Sequence, residues 1–233
     1  MPRSVVPPSE EANEVEVRIW DLPVRVFHWL LVALFAFSWW SAENDRLDWH
    51  MLSGYAILAL VVFRIYWGFA GSWSARFAVF LKGPRAVLAY LRRLPLRDSA
   101  RSAGHNPMGG WSVVAMLALL LAQVALGLFA IDVDGLNAGP LDYLVGFDTG
   151  RLIAGWHGRV FNVLLVIVGL HVAAIAFYAV FKRANLIVAM VTGIKRLPPA
   201  EIQTRSELRS VWLALPGLVL AALIVAAVLF VHY

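Results

Sequence analysis

LIAGWHGRVFNVLLVIVGLHVAAIAFYAVF, residues 152–181, decides how this chain is read. The stretch is almost uninterruptedly apolar and long enough to cross a bilayer. It nevertheless carries two histidines, His157 and His171. Fourteen residues of helix rise about 21 Å and bring the second ring to within about 40° of the first. The two imidazoles therefore look out from one face of one helix, one toward each side of a membrane. Ionisable side chains at membrane depth are costly and mark function. Neutral imidazole is an axial ligand of haem iron, and six-coordinate iron takes two. The pattern predicts two cofactors stacked across the bilayer, provided other segments supply a second histidine at each level.

Composition sets the frame for that search. Of 233 residues, 61% are hydrophobic and 15% charged, far from the balance of a soluble domain. The pI near 9.9 arises from Lys and Arg clustered beside apolar spans, which reads as membrane topology rather than as a nucleic-acid surface. The chain has no cysteine. That excludes disulfides, thiolate metal sites, cysteine-ligated iron–sulfur clusters and covalent c-type haem attachment. The N-terminal segment is polar and acidic without an apolar core of its own, so the expectation is a cytoplasmic tail over residues 1–18 rather than a signal peptide, either disordered or in contact with a partner.

Working outward, four further spans are expected. Asp21 and Pro23 form a helix start, and 24–41 is the first span, with His28 one turn in and Arg25 just before it. His50 opens the second, with Gly54 one turn on, where a missing side chain gives a flat ring room to approach. Arg64, near its far end, is expected to snorkel. Within the arginine-rich connection 71–107, GPRAVLAYLRRL reads as an interfacial amphipathic helix. The third span covers 111–130, with Gln123 and Gly127 as its only notable interior residues. Residues 131–151 form an acidic loop, 182–199 a second basic interfacial segment, and 211–233 a fifth span.

Basic residues concentrate in 71–107 and 182–209, whereas loops 42–49 and 131–151 hold only Arg46 and Arg151. The positive-inside rule then puts the N-terminus and both basic connections in the cytoplasm and the C-terminus outside. In that frame His28 and His171 share the cytoplasmic level, and His50 and His157 share the outer one. Each level has the two ligands that haem iron needs. Arg25, Arg64 and Arg159 are candidate partners for haem propionates. His105 and His232 lie outside the spans and default to loop histidines.

RVFHW, HMLSGY, GHNPMGGW, WHGRVFN and GLHVAA, taken together, resemble the bacterial cytochrome b561 family. More broadly they resemble the membrane cytochrome b subunits of nickel–iron hydrogenases and formate dehydrogenases, over residues 18–196. The resemblance implies an all-α membrane protein: a four-helix transmembrane bundle holding two b haems over 19–196, here followed by a linker and a fifth transmembrane helix over 197–233. It implies the same pairs, His28 with His171 and His50 with His157. It also implies a quinone held near the cytoplasmic haem by the GHNP segment, which nominates His105 and Asn106. The expected role is an electron-transfer subunit of a quinone-linked oxidoreductase in the bacterial inner membrane. It would pass electrons between quinone or quinol and a periplasmic partner such as a c-type cytochrome or redox subunit. The competing readings are a self-sufficient membrane oxidoreductase acting on superoxide or ferric iron at the outer haem, and a non-haem transporter or scaffold.

Overall fold

A computed structural model describes residues 14–96, 103–197 and 208–230. The expectations for the first thirteen residues, for Arg97 and Arg101, and for His232 lie outside these. Five helices are long and apolar enough to cross a membrane: α1 (Leu22–Glu43), α2 (Leu47–Ala70), α5 (Pro107–Phe129), α6 (Phe147–Val180) and the span Val211–Phe230, most of which is α8 (Ala214–Phe230). The shorter α3 (Phe77–Phe80) and α4 (Pro84–Arg93) lie in the first basic connection, and α7 (Leu186–Thr192) in the second.

Local chemistry fixes the helix starts. The Asp21 carboxylate accepts from the Val24 N–H at 2.9 Å, and a proline in the first turn presets the backbone of α1. Asn106 does the same for α5, accepting from Gly109 N at 2.7 Å ahead of Pro107. α2 begins at Leu47, three residues before His50, so that histidine sits inside the first turn rather than opening the helix. α6 is 34 residues long, about 50 Å at 1.5 Å per residue, and thus longer than a membrane is thick. Its first turn reaches back into the acidic loop.

α2 is the central helix, packed against α1, α5 and α8, while α6 lies mainly along α5. α6 meets α1 through Phe161, whose ring centroid is 5.9 Å from Phe35 and 5.7 Å from Trp39. Ile57, Leu58 and Val61 of α2 form a mid-bundle core with Leu120, Val124 and Leu164. The fifth span joins the bundle directly: Gly217 lies against the Tyr66 ring, and the Tyr66 hydroxyl donates to Leu213 O at 3.0 Å.

The structure differs from the sequence expectation at the basic end. Val15–Arg18, assigned above to the polar tail, form strand β1, which pairs antiparallel with β2 (Ile194–Leu197) in the register Val15 to Leu197 and Arg18 to Ile194. The second basic segment is therefore not an interfacial helix throughout. α7 stops at Gly193, whose φ of +81° only glycine adopts without strain, and the carbonyl of Gly193 accepts from Ile19 N at 2.8 Å. Arg64 does not snorkel either. It is 3% exposed, enclosed because the turn at Trp73–Ala75 folds back over it and offers the Ala75 carbonyl at 3.2 Å.

Candidate haem-binding levels

His50 and His157 are brought together edge to face. Their ring centroids are 6.0 Å apart at an interplanar angle of 82°. Each Nδ1 is tied to the backbone of a neighbouring helix: His50 Nδ1 donates to Ser38 O at 2.9 Å, and His157 Nδ1 to Gln123 O at 2.9 Å. A carbonyl only accepts, so the proton is on Nδ1 in both rings and the lone pair is on Nε2. The Gln123 amide fits the same tautomer, donating to His157 Nε2 at 2.9 Å. A metal-ligating histidine that donates its other ring N–H to a carbonyl is the recurring arrangement that orients the ring and raises its basicity. These residues therefore fit a metal between two imidazoles.

Two glycines complete this level. A Cβ on Gly54, one turn from His50, would meet nothing within 4 Å, so the space beside that ring is open to a flat group. A Cβ on Gly127 would lie 3.1 Å from His157 Cε1, so glycine there is what lets the ring lie against α5. Gln123 and Gly127 were the only notable interior residues of the third span, and the structure gives both a task. The sequence signal was their four-residue spacing, which places them on one helix face.

The other level is built differently. His28 and His171 are close enough to feel each other's charge, and His28 Nδ1 is buried with no hydrogen-bond partner. His105 joins them from the connection before α5. Its ring is wedged between Trp20 and Phe80, each with centroids at 4.7 Å. Burial, then the positive charges of Arg64 and His171, push its pKa down to about 3, so it is neutral at physiological pH. His105 Nδ1 is also buried and unpartnered. The loop-histidine default is thus wrong for His105, because Trp20 and Phe80 arrive from distant segments to cover it.

Asn106, next in the chain, is already occupied. Besides capping α5 it donates through Nδ2 to the Tyr178 hydroxyl at 2.9 Å, and Tyr178 is in hydroxyl contact with Tyr90 of α4. Neither tyrosine stood out in the sequence, since a lone tyrosine near a span end is ordinary interfacial anchoring. Arg25 donates through Nη2 to Val191 O, and the Arg159 guanidinium lies 4.8 Å from the Trp156 ring centroid. Both sit at the ends of the bundle, near His28 and His157 respectively.

A multi-pass all-α bundle with paired intramembrane histidines, and no cysteine to tether a cofactor, defines a membrane cytochrome of the b type. The family model of prokaryotic cytochrome b561 matches residues 19–193, and the chain belongs to that family. Among curated proteins it is 24% identical to a "Probable Ni/Fe-hydrogenase B-type cytochrome subunit" of Rhizobium leguminosarum bv. viciae, over 79% of this chain and 91% of that one. It is 23% identical to a protein of the same description from Azotobacter chroococcum mcd 1, over 78% of this chain and 89% of the other. No solved structure matches. The chain is thus a membrane b-haem electron-transfer protein.

Proposed function

We propose that the chain binds two b haems, one held by His28 and His171 and one by His50 and His157, and carries electrons through the membrane between quinol and a redox partner on the outer side. The observation that carries this reading is the pairing at His50 and His157, where the carbonyls of Ser38 and Gln123 fix the tautomer that puts a lone pair on each Nε2, the one on His157 being engaged by the Gln123 amide. Bound haem supplies one-electron chemistry at iron. The protein residues hold the rings, set the ligand basicity and surround the site with apolar side chains. Gly54 leaves room for one macrocycle, and Arg25 and Arg159 offer cations to propionates at the two levels.

His105 and Asn106 are the proposed quinone contacts, with the His105 Nδ1 as the available polar atom and Asn106 spending one amide proton on Tyr178. Relatives described as Ni/Fe-hydrogenase cytochrome subunits support a redox-enzyme partner. The charge pattern supports its docking face: Glu43, Asp45, Asp48, Asp132, Asp134, Asp142 and Asp148 border the His50–His157 level against only Arg46 and Arg151. Asp132 is fixed as an anion, because the Asn137 side chain and then loop N–H groups hold its carboxyl below the usual range. An acidic rim steers a basic partner, such as a c-type cytochrome or the basic face of a redox subunit.

The orientation follows from the basic connections, which belong in the cytoplasm of the inner membrane. The test has two parts. A pyridine haemochrome assay should give two haems per chain, both reduced by added quinol; one haem or none overturns the two-level reading. An impermeant maleimide should label Asp134→Cys from outside and Arg93→Cys only after lysis, and the reverse pattern inverts the levels.

A further inference from the structure

Arg64 is a buried cation whose guanidinium is only half used. Nη2 donates to Ala75 O at 3.2 Å and the guanidinium carbon lies 5.4 Å from the Phe77 ring centroid, but Nη1 is buried without a partner. The nearest candidate counter-ion, Asp21, has both oxygens engaged: Oδ1 accepts from Val24 N and Oδ2 from Trp67 Nε1, each at 2.9 Å. Its charge reaches Arg64 without forming an ion pair. Among the described residues, no carboxylate pairs with Arg64. A buried charge of this kind needs an anion with good geometry.

Its place in α2 identifies the level from which that anion comes. His50 and Arg64 are fourteen residues apart, the same interval that separates His157 and His171 in α6. Since both helices run the same way through the bundle and His50 faces His157, the interval carries Arg64 to the level of His171 and to within about 40° of the face that holds His50. The electrostatic reach of both Arg64 and His171 to His105 agrees with this placement. α2 thus offers an imidazole at one level and a guanidinium at the other.

We propose that Arg64 receives a propionate carboxylate of the b haem held by His28 and His171, the planar fork closing on the carboxylate from the α2 side. The proposal rests on the two-haem reading above. It would give that haem a contact beyond His28, His171 and Arg25, from a helix that supplies no histidine to that level.

The test is a competition between protohaem and its dimethyl ester, which keeps the iron and macrocycle but has no carboxylates. The full-length apo-chain carries His157→Ala, so that only the His28–His171 level binds, and binding is followed by Soret titration. The chain with Arg64 should prefer the free acid by about tenfold, the scale of an outer contact to a metal group. Adding Arg64→Gln should lower that preference severalfold, leaving what Arg25 contributes, and Arg64→Lys should keep more of it. Equal affinity for acid and ester in the chain that retains Arg64 overturns the proposal, whether or not either variant folds. So does a preference undiminished by Arg64→Gln, and if that is accompanied by a raised KM for quinol the fork belongs to the quinone. Failure of the His157→Ala chain to bind haem at all overturns the two-level reading beneath it.

Discussion

The two histidine levels differ in who does the holding. At His50 and His157 each ring is pinned by a carbonyl of a neighbouring helix, and both pins come from regular helix backbone, Ser38 of α1 and Gln123 of α5. At His28 and His171 no such pin exists among the described residues. Instead a connection inserts His105, and α2 inserts Arg64, each with a buried nitrogen still unbonded. The first level is prepared by helix packing alone. The second also draws on a connection that closes over it.

The largest test of the contrast is at Gly127. Gly127→Val places branched carbon against His157, where a single Cβ already comes to 3.1 Å. Affinity for the haem of that level should fall by at least about tenfold, while the His28–His171 haem is retained in the spectrum. Gly54→Ala is the sharper companion, since its Cβ meets nothing in the protein. It should not lower the stability of the apo-chain, since alanine is the better helix former, and should weaken only haem binding at the same level. Loss of both haems in either variant would show that the levels are not separable.

Next in size is an acid effect confined to the other level. His105 binds its proton near pH 3 in the folded chain and near 6.5 in the unfolded one. Between these values the unfolded chain holds more protons, so stability rises with pH across the window. It is complete above about 6.5 and is lost as pH falls toward 3. Thermal unfolding in detergent should show this slope, and His105→Gln should flatten it. An unchanged slope would mean that His105 is not the buried neutral group the packing of Trp20 and Phe80 describes.

The smallest effect is expected at Tyr178. Tyr178→Phe removes the acceptor for Asn106 Nδ2 and the link to Tyr90 of α4, at a cost of about 1 kcal/mol in stability by the usual worth of a hydrogen bond. If Asn106 then becomes free to engage quinone, KM for quinol should fall slightly. A rise would place the hydroxyl itself in the quinone site.

The spans, the meeting of His50 with His157 and the helix α4 were legible because each is a local pattern: hydropathy over twenty residues, histidines at matching depths, a helical repeat of arginines. Asp21 was equally local as a cap, whereas Asn106, nominated only as a quinone contact ahead of a span read from 111, caps a helix that begins at Pro107. What escaped reading lies in pairings across the chain. VEVR is too short to announce a strand when its partner begins 176 positions later. Arg64 looked like a snorkelling side chain because nothing in its own helix shows that the turn after α2 folds back over it. Gln123 and Gly127 read as interior residues without a task until α6 supplied the ring they support.

The β1–β2 pairing has a consequence in time. Val15 leaves the ribosome early, but its partner Leu197 is made 182 residues later, after α6 and α7. At bacterial synthesis rates of roughly 5–20 residues per second, the first strand waits about ten to forty seconds without its mate. The clasp can close only after the helix carrying His157 and His171 has been synthesised. A closed clasp is thus a record that every residue from His28 to His171 has already left the ribosome.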